Sequence, residues 1–120
     1  MPSKAQELSG LSWFAFEQHC GQWLRGKHFD EVARTSIDNG VDITAISGGA
    51  SPAKWVIQCK HWSGKVGPEV VRELEGARVL RKADKAMLIT SSAFTPAAIE
   101  TAGKLGIELV DGDVLMHAAT

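Results

Sequence analysis

Residues 55–60, with the sequence WVIQCK, form an apolar run that closes with polar side chains. Because side chains alternate between the two faces of a β-strand, Val56, Gln58 and Lys60 are expected to share one face. The run is bounded by polar segments on both sides, which sets its length at that of an ordinary strand. We therefore predict a strand over residues 54–60 that carries a glutamine and a lysine at its carboxyl end.

The segment that precedes this strand predicts its partner. Residues 47–53 are rich in glycine and serine and contain a proline, a composition typical of a turn. Residues 40–46 before the turn are predicted to form another strand. A connection this short can join two strands only if they are antiparallel neighbours. The two strands are therefore expected to form a β-hairpin.

The rest of the chain shows alternating helical and strand patterns. Apolar residues at helical spacing predict a helix over residues 11–25, and Pro68 is expected to begin a second helix. The apolar stripe of this second helix consists of Val70, Val71, Leu74, Ala77 and Leu80. The remaining predicted elements are a weak strand at 29–35, a strand at 86–90, a helix from Thr95-Pro96 to about Leu105, and a last strand at 107–110. Strands joined by helices pair in parallel, so we predict an α/β fold with a mixed central sheet flanked by helices.

Composition fits a single domain with a modest core. The chain has 120 residues, a net charge of −1 and two cysteines. Residues 1–10 are expected to be a loose N-terminal segment, and residues 11–120 the domain. Two cysteines give no disulfide framework, so Cys20 and Cys59 are expected to be buried and reduced. With neither a signal peptide nor a transmembrane stretch expected, the protein is predicted to be cytoplasmic and without membrane contact.

Three groups of polar residues indicate the type of reaction that the site catalyses. Asp42 lies near the start of one predicted strand, while Gln58 and Lys60 close the next. Glu17 falls within the apolar stripe of the first helix, where a carboxylate is costly unless it is paired or bound to a metal. Cleavage of a phosphodiester needs a positioned water, neutralised phosphate charge and a stabilised leaving oxygen, and Mg²⁺ supplies much of this. The arrangement therefore predicts a metal-dependent phosphodiesterase site.

This pattern resembles the PD-(D/E)xK nuclease superfamily, and within it the Mrr-like restriction endonucleases, in which glutamine replaces the second acid. The resemblance covers roughly residues 11–115. It is carried by residues 16–17, 39–42, 56–60, 66–67, 71–77, 87–92, 94–98 and 106–112. Asn39-Gly40 departs from the Gly-Gly frequent in the family, a change that a turn accepts because both residues tolerate positive φ. The resemblance implies a restriction-endonuclease-like core and a Mg²⁺-dependent DNA endonuclease of the Mrr type, with Mn²⁺ as a substitute.

The expected roles follow the preference of Mg²⁺ for hard oxygen ligands. Asp42 is the candidate primary ligand, joined by the side-chain oxygen of Gln58 and the backbone carbonyl of Cys59. Glu17 would supply a further carboxylate, directly or through water. Lys60 would hold the attacking water and the phosphate. With Gln58 in place of an acid, metal binding should be weaker and Glu17 more important.

Each of these residues also has a structural interpretation. Asp42 can be a turn acid, Gln58 a solvated strand residue, and Lys60 a charge that protects a strand edge from aggregation. Glu17 can pair with an arginine or lysine instead of a metal. His61, which follows the Q-x-K, either lines the mouth of the site or is a solvated loop residue.

DNA is the expected partner, and its contacts are assigned to His61, Trp62, Lys65 and Arg72 through stacking and phosphate binding. For Trp62, capping of the core is an equal alternative. A DNA-recognition domain or protein is expected outside these residues, so the chain is interpreted as a catalytic module, and a homodimer stays open. Two other functions also stay open. One is a catalytically inactive DNA-binding module of the same fold, and the other is a structure-selective junction nuclease, which the near-neutral charge disfavours.

Overall fold

The structure is a computed structural model that describes residue 8, residues 10–35 and residues 41–117, the side chain of His117 excepted. Most of the predicted N-terminal segment, the Asn39-Gly40 turn and residues 118–120 lie outside this part of the chain. Leu8 is described and is 5% exposed, packed in the core.

The described residues form four helices and five strands, labelled here in chain order. They are α1 (Trp13–Arg25), β1 (Ala33–Arg34), β2 (Ile43–Ser47), β3 (Ala53–Lys60), α2 (Pro68–Leu80), β4 (Lys85–Thr90), α3 (Pro96–Leu105), β5 (Glu108–Val110) and α4 (Gly112–His117). Side chains cap three of the helices, and for α4 the Oδ1 of Asp111 accepts from the amide of Val114 at 2.9 Å. The Oγ of Ser12 accepts from the amide of Ala15 at 3.1 Å, and Thr95 does the same for Ala98 at 3.1 Å, as predicted for the third helix.

The five strands form one mixed sheet in the order β1-β2-β3-β4-β5. The β1–β2 and β2–β3 pairs are antiparallel, with Ile43 opposite Ile57, which confirms the predicted hairpin. The β3–β4 and β4–β5 pairs are parallel, with Lys60 level with Thr90 at the carboxyl ends of their strands. The strand that carries the Q-x-K is therefore the central strand of the sheet.

Helices cover both faces of this sheet, which confirms the predicted fold class. On one face, α2 and α3 pack against β3 and β4 through residues that include Val71, Leu74, Ala98, Val56 and Leu88. On the other face, α1 and α4 pack against the same strands through residues that include Phe16, Cys20, Leu115, Ile57 and Cys59. Helix α1 thus lies directly over the strand that carries the candidate site.

Some predicted elements differ from the structure. Leu80 is 85% exposed and not part of the apolar stripe, because it is the last residue of α2 and lies beyond the sheet surface that the helix covers. The strand expected at 29–35 is reduced to Ala33–Arg34 plus an isolated bridge between Phe29 and Ser47. Helix α4 has no counterpart in the predicted elements. None of the helices in the described ranges is long and apolar enough to cross a membrane.

Candidate active site

A cavity of about 350 Å³ opens where the first turns of α1 approach the carboxyl end of β3. All four of the principal site residues expected from the sequence lie on its wall. The lining residues are Trp13, Glu17, Asp42, Gln58, Cys59 and Lys60. Helix α1, the entry to β2 and the end of β3 each contribute, so residues far apart in sequence meet because the hairpin and the packing of α1 on β3 bring them together.

Asp42 is fixed to β3 by two hydrogen bonds. Its amide donates to the carbonyl of Ile57 at 2.9 Å, and its Oδ2 accepts from the amide of Cys59 at 2.7 Å. The carboxylate is therefore held beside the Q-x-K, so the interpretation of Asp42 as an acid that serves only its own turn is wrong. A carboxylate has about four lone-pair positions, and this bond is compatible with metal ligation.

Gln58 is buried, with only 5% of its surface exposed, so the interpretation as a solvated strand residue is wrong. Within the described part of the chain, its Oε1 is buried and has no hydrogen-bond partner. An unpaired buried acceptor costs about 1–3 kcal/mol, and such groups are rare in native proteins. Because Gln58 also lines the cavity, its oxygen is suited to a ligand that enters there.

Lys60 ends the central strand, so protection of a sheet edge cannot explain it. Its carbonyl accepts from the hydroxyl of Thr90 at 2.8 Å and from the amide of Ser91 at 3.3 Å, which fixes the backbone. Its ammonium lies 5.4 Å from the ring centroid of Trp62. None of the ion pairs among the described residues involves Lys60, and its side chain lines the cavity.

Glu17 has a basic partner that the sequence could not name. Its Oε2 accepts from Nη2 of Arg34 on β1 at 2.5 Å, with side chains 21% and 33% exposed. The Arg34 guanidinium also lies 4.5 Å from the ring centroid of Phe14. The alternative in which Glu17 pairs with an arginine therefore describes this structure, while the same carboxylate still forms part of the cavity wall.

His61 ties three segments together, so the interpretation as a solvated loop residue is wrong. Its Nε2 lies 2.5 Å from the carbonyl of Leu11 and its Nδ1 2.8 Å from the Oγ of Ser91. Its ring stacks on Phe16 with centroids 4.6 Å apart and meets Trp13 edge-on at 6.0 Å. His61 therefore anchors the start of α1, which carries Glu17, to the end of β3.

The other residues that the sequence assigned to DNA contacts follow His61 in the chain. Trp62 is 37% exposed, with one face near Lys60, and Lys65 and Arg72 are exposed. Sequence reasoning did not single out Trp13 as part of the cavity or Arg34 as a neighbour of it. The only feature of the sequence that points to Trp13 is its position in the first turn of α1, the helix that carries Glu17. No pattern in the sequence points to Arg34, because β1 is only two residues long.

The two cysteines are free and buried, as predicted. The neighbouring Cys20 thiol, burial and the negative charges of Asp42 and Glu17 together raise the pKa of the Cys59 thiol well above its usual range. Cys59 is therefore a neutral thiol at physiological pH, and thiolate ligation of a metal is unfavourable here.

The donors at the cavity fit a hard divalent cation. Among residues 8, 10–35 and 41–117, no group of three or more His, Cys, Asp and Glu side chains is arranged to hold a metal. The side chains on the cavity wall that carry oxygen are Asp42, Glu17 and Gln58. Mg²⁺ and Mn²⁺ accept such sites with one or two carboxylates and several waters, whereas zinc prefers nitrogen and sulfur ligands.

Comparisons with known proteins identify the relatives of this chain. Residues 8–119 match a family model described as restriction endonuclease. The chain is similar to the type IV methyl-directed restriction enzyme EcoKMrr of Escherichia coli (strain K12), with 33% identity over 95 residues, covering 77% of this chain and 31% of that protein. The chain thus spans about a third of the length of this relative.

Solved structures share the fold at lower identity. The DNA modification-dependent restriction endonuclease AspBHI has a TM-score of 0.73 and 18% identity, covering 98% of this chain and 36% of that one. The MspJI restriction endonuclease, solved in complex with a 27-mer oligonucleotide, has a TM-score of 0.69 and 22% identity, covering 95% and 29%. At these identities the likeness establishes the architecture alone.

Proposed function

Because this chain belongs to the Mrr-type restriction endonuclease family, we propose that it is a Mg²⁺-dependent DNA endonuclease that hydrolyses phosphodiester bonds, with Mn²⁺ as a substitute. The observation that carries the proposal is the buried Oε1 of Gln58, which has no hydrogen-bond partner among the described residues and belongs to a side chain that lines the same cavity as Asp42. A divalent cation bound between the two side chains would give the Oε1 of Gln58 a partner.

Asp42 and Gln58 are the residues that would hold the cation, with the Cys59 backbone carbonyl as a third oxygen. When bound, the cation would neutralise phosphate charge and acidify a coordinated water. Asp42 is preorganised for this task, because its bond to the Cys59 amide fixes its orientation without the metal. Gln58 is buried in the sheet and lines the same cavity.

Lys60 would orient the attacking water and stabilise the charge that develops on the phosphate. Its position at the end of the central strand places it one residue from Cys59 and two from Gln58, at the wall of the same cavity. A charged donor that is held in a partly buried site is worth more than the same donor in bulk water.

Glu17 would add a second carboxylate, directly or through a coordinated water. In the structure Arg34 neutralises it, which limits repulsion between Glu17 and Asp42 while no cation is present. A site with one neutral amide in place of an acid carries less negative charge, so metal binding is expected to be weaker than in a site with two fixed acids.

DNA is the proposed substrate, and Trp62, Lys65 and Arg72 are the proposed contacts outside the cavity. Both ring nitrogens of His61 are engaged within the protein, so we assign to it the shaping of the loop that presents Trp62. Sequence recognition is assigned to a domain or protein outside these residues, since the chain spans 31% of the EcoKMrr length. We place the activity in the cytoplasm, where its two free cysteines stay reduced.

One observation favours a second candidate, a catalytically inactive DNA-binding module of the same fold. Glu17 is already neutralised by Arg34, as expected if the carboxylate is only structural. Such a module would bind DNA without a metal requirement and would cut none. A junction nuclease is the third candidate, and the net charge of −1 gives it no support.

Cleavage assays with defined metals test the proposal. Supercoiled plasmid, with and without cytosine and adenine methylation, and a branched duplex are incubated with the protein in Mg²⁺, Mn²⁺ or EDTA. Modified DNA is included because the relative EcoKMrr is described as methyl-directed. Nicked or linear product in Mg²⁺ or Mn²⁺ but not in EDTA is expected. Binding without any cleavage in all arms would favour the inactive module, and cleavage confined to the branched duplex would favour the junction nuclease.

A further inference from the structure

A second cavity lies along the exposed face of α1, beside the edge strand β1. Gln18, Gln22 and Arg25 are spaced four and three residues apart, so they share one face of the helix. Together with Gly21 and Arg34 they line a space of about 140 Å³. At about 30 Å³ per water molecule, this space holds a group the size of a few waters.

The lining residues of this cavity contain two guanidinium groups, two carboxamides and no acid. Arg25 donates from Nη2 to the carbonyl of Val32 at 3.3 Å, and a Cβ on Gly21 would lie 3.6 Å from its Nη1. The guanidinium therefore folds back over Gly21 toward the cavity. The carboxamides add donors without charge, and such a set of donors is complementary to an anion with several acceptor oxygens.

Arg34 links this cavity to the candidate active site. It lines the second cavity, and it also donates to Glu17, which lines the first. Glu17 of the first cavity is followed directly by Gln18 of the second. The two cavities therefore lie next to each other along one helix, so one DNA strand that enters the first would pass beside the second.

We propose that this second cavity binds a backbone phosphate of the DNA, on the strand that also occupies the active-site cavity. Arg25 supplies the charge, Arg34 adds a guanidinium whose Nη2 is already bound to Glu17, and Gln18 and Gln22 supply neutral hydrogen bonds. The inference rests on the proposed function for the identity of its ligand. It assigns to α1 a role in holding the backbone in register, in addition to carrying Glu17. Contacts of this kind position DNA without reading its sequence.

DNA binding in EDTA tests the assignment without any cleavage. A fluorescein-labelled duplex is titrated with the protein at several NaCl concentrations, and log Kd is plotted against log salt. Each phosphate contact contributes about 0.9 to the slope. Arg25→Gln is expected to weaken binding several-fold and to reduce the slope by about that amount. Arg25→Lys should retain most of the slope, and Gln22→Lys should increase both the affinity and the slope.

Lys104→Gln is the matched control, since it removes one positive charge from an exposed pair with Glu100 on α3, which packs on the opposite face of the sheet from α1. It should leave affinity and slope unchanged. Thermal melting of each variant checks folding, and the gain expected from Gln22→Lys does not depend on a destabilised protein. Parental affinity and slope in Arg25→Gln, or no DNA binding by the parent, would overturn the phosphate site.

The outcomes separate this inference from the proposed function. A parent that binds DNA with an Arg25-dependent slope yet cuts nothing in Mg²⁺ or Mn²⁺ supports the phosphate site and contradicts the nuclease. Metal-dependent cleavage with no effect of Arg25→Gln on binding supports the nuclease and contradicts the phosphate site. Stabilisation of the parent, but not of Arg25→Gln, by inorganic phosphate with unchanged DNA binding would make this a site for free phosphate and would overturn the DNA assignment.

Discussion

Arg34 on the edge strand β1 holds the carboxylate of Glu17 on α1 at 2.5 Å, in the wall of the cavity that Asp42 and Gln58 also line. The pair joins a helix on one face of the sheet to the strand at its edge. With the side chains 21% and 33% exposed, it is a partly solvated pair. Glu17 is therefore already bound to Arg34. If Glu17 also binds a metal, its carboxylate must contact both the metal and Arg34, or the metal must displace Arg34.

Glu17→Gln separates these two roles. Loss of a partly exposed pair should lower the free energy of unfolding by no more than about 1 kcal/mol. If Glu17 also reaches the metal, Mn²⁺ should raise the melting temperature of the parent more than that of the variant, because a ligand that binds only the native state stabilises it. Arg34→Gln is the matched control, since it breaks the same pair and keeps the carboxylate. Equal Mn²⁺-induced shifts in the parent and Glu17→Gln would remove Glu17 from the metal site.

Asp42→Ala and Asp42→Asn should differ in stability but not in metal binding. Asp42→Ala leaves the amide of the buried Cys59 without its acceptor, at a cost of about 1–3 kcal/mol. Asp42→Asn retains an oxygen for that amide and should unfold in urea closer to the parent. Calorimetric titration with Mn²⁺ should show no binding to either variant. Parental Mn²⁺ affinity in Asp42→Asn would mean that the carboxylate serves only the Cys59 amide.

Gln58→Met tests the unpartnered oxygen. The substitution keeps an unbranched side chain and removes the buried acceptor, so in EDTA the variant should be at least as stable as the parent, with a gain of about 1 kcal/mol. It should lose the stabilisation by Mn²⁺. Gln58→Glu should bind Mn²⁺ more tightly, since it adds a charged ligand, and should be less stable in EDTA, since it buries a charge. Destabilised Gln58→Met together with parental Mn²⁺ binding would show that the oxygen is not a ligand.

The raised pKa of the Cys59 thiol predicts a pH dependence in metal-free, reducing buffer. The unfolded chain loses this proton near pH 8.5, whereas the folded protein keeps it because of Cys20, burial and the nearby carboxylates. The unfolded state therefore binds fewer protons above pH 8.5, and stability falls as pH rises. Urea unfolding should show a loss of about 1.4 kcal/mol by pH 9.5 that is absent in Cys59→Ala. The same slope in both proteins would assign the dependence to other groups.

The sequence was sufficient for the sheet and most of the helices, because its strongest signals are local. Each signal is contained within a short stretch of sequence. Examples are the turn before β3, the capping Thr95 and the apolar spacing of α1. Family membership was also predictable, since the resemblance is carried by residues spread over most of the chain and not by the Asp42 and Q-x-K motif alone. Helix α4 was not, because a helix of six residues gives no periodic signal. Leu80 was misassigned since spacing alone does not show where the sheet beneath a helix ends.

The site was less predictable, because its contacts join distant residues. Sequence reasoning expected that Glu17 would need a metal or a basic partner, but only the fold identifies Arg34. His61 was expected at the mouth of the site or in solvent, yet it bonds Leu11, fifty positions earlier in the chain. The burial of Gln58 depends on the helices that cover β3. Such facts follow from packing, which a motif does not encode.

Plasmid cleavage by Lys60→Ala tests the central claim most directly. The parent, Lys60→Ala and the distant control Lys104→Ala are compared in Mg²⁺, Mn²⁺ and EDTA, and thermal melting shows whether each is folded. We predict that the parent and Lys104→Ala cut DNA in the presence of metal, and that Lys60→Ala melts like the parent but has lost at least two orders of magnitude of activity, in line with the loss of one transition-state donor. Parental cleavage by a folded Lys60→Ala would contradict the account, because the charge at the end of β3 would then have no part in the chemistry.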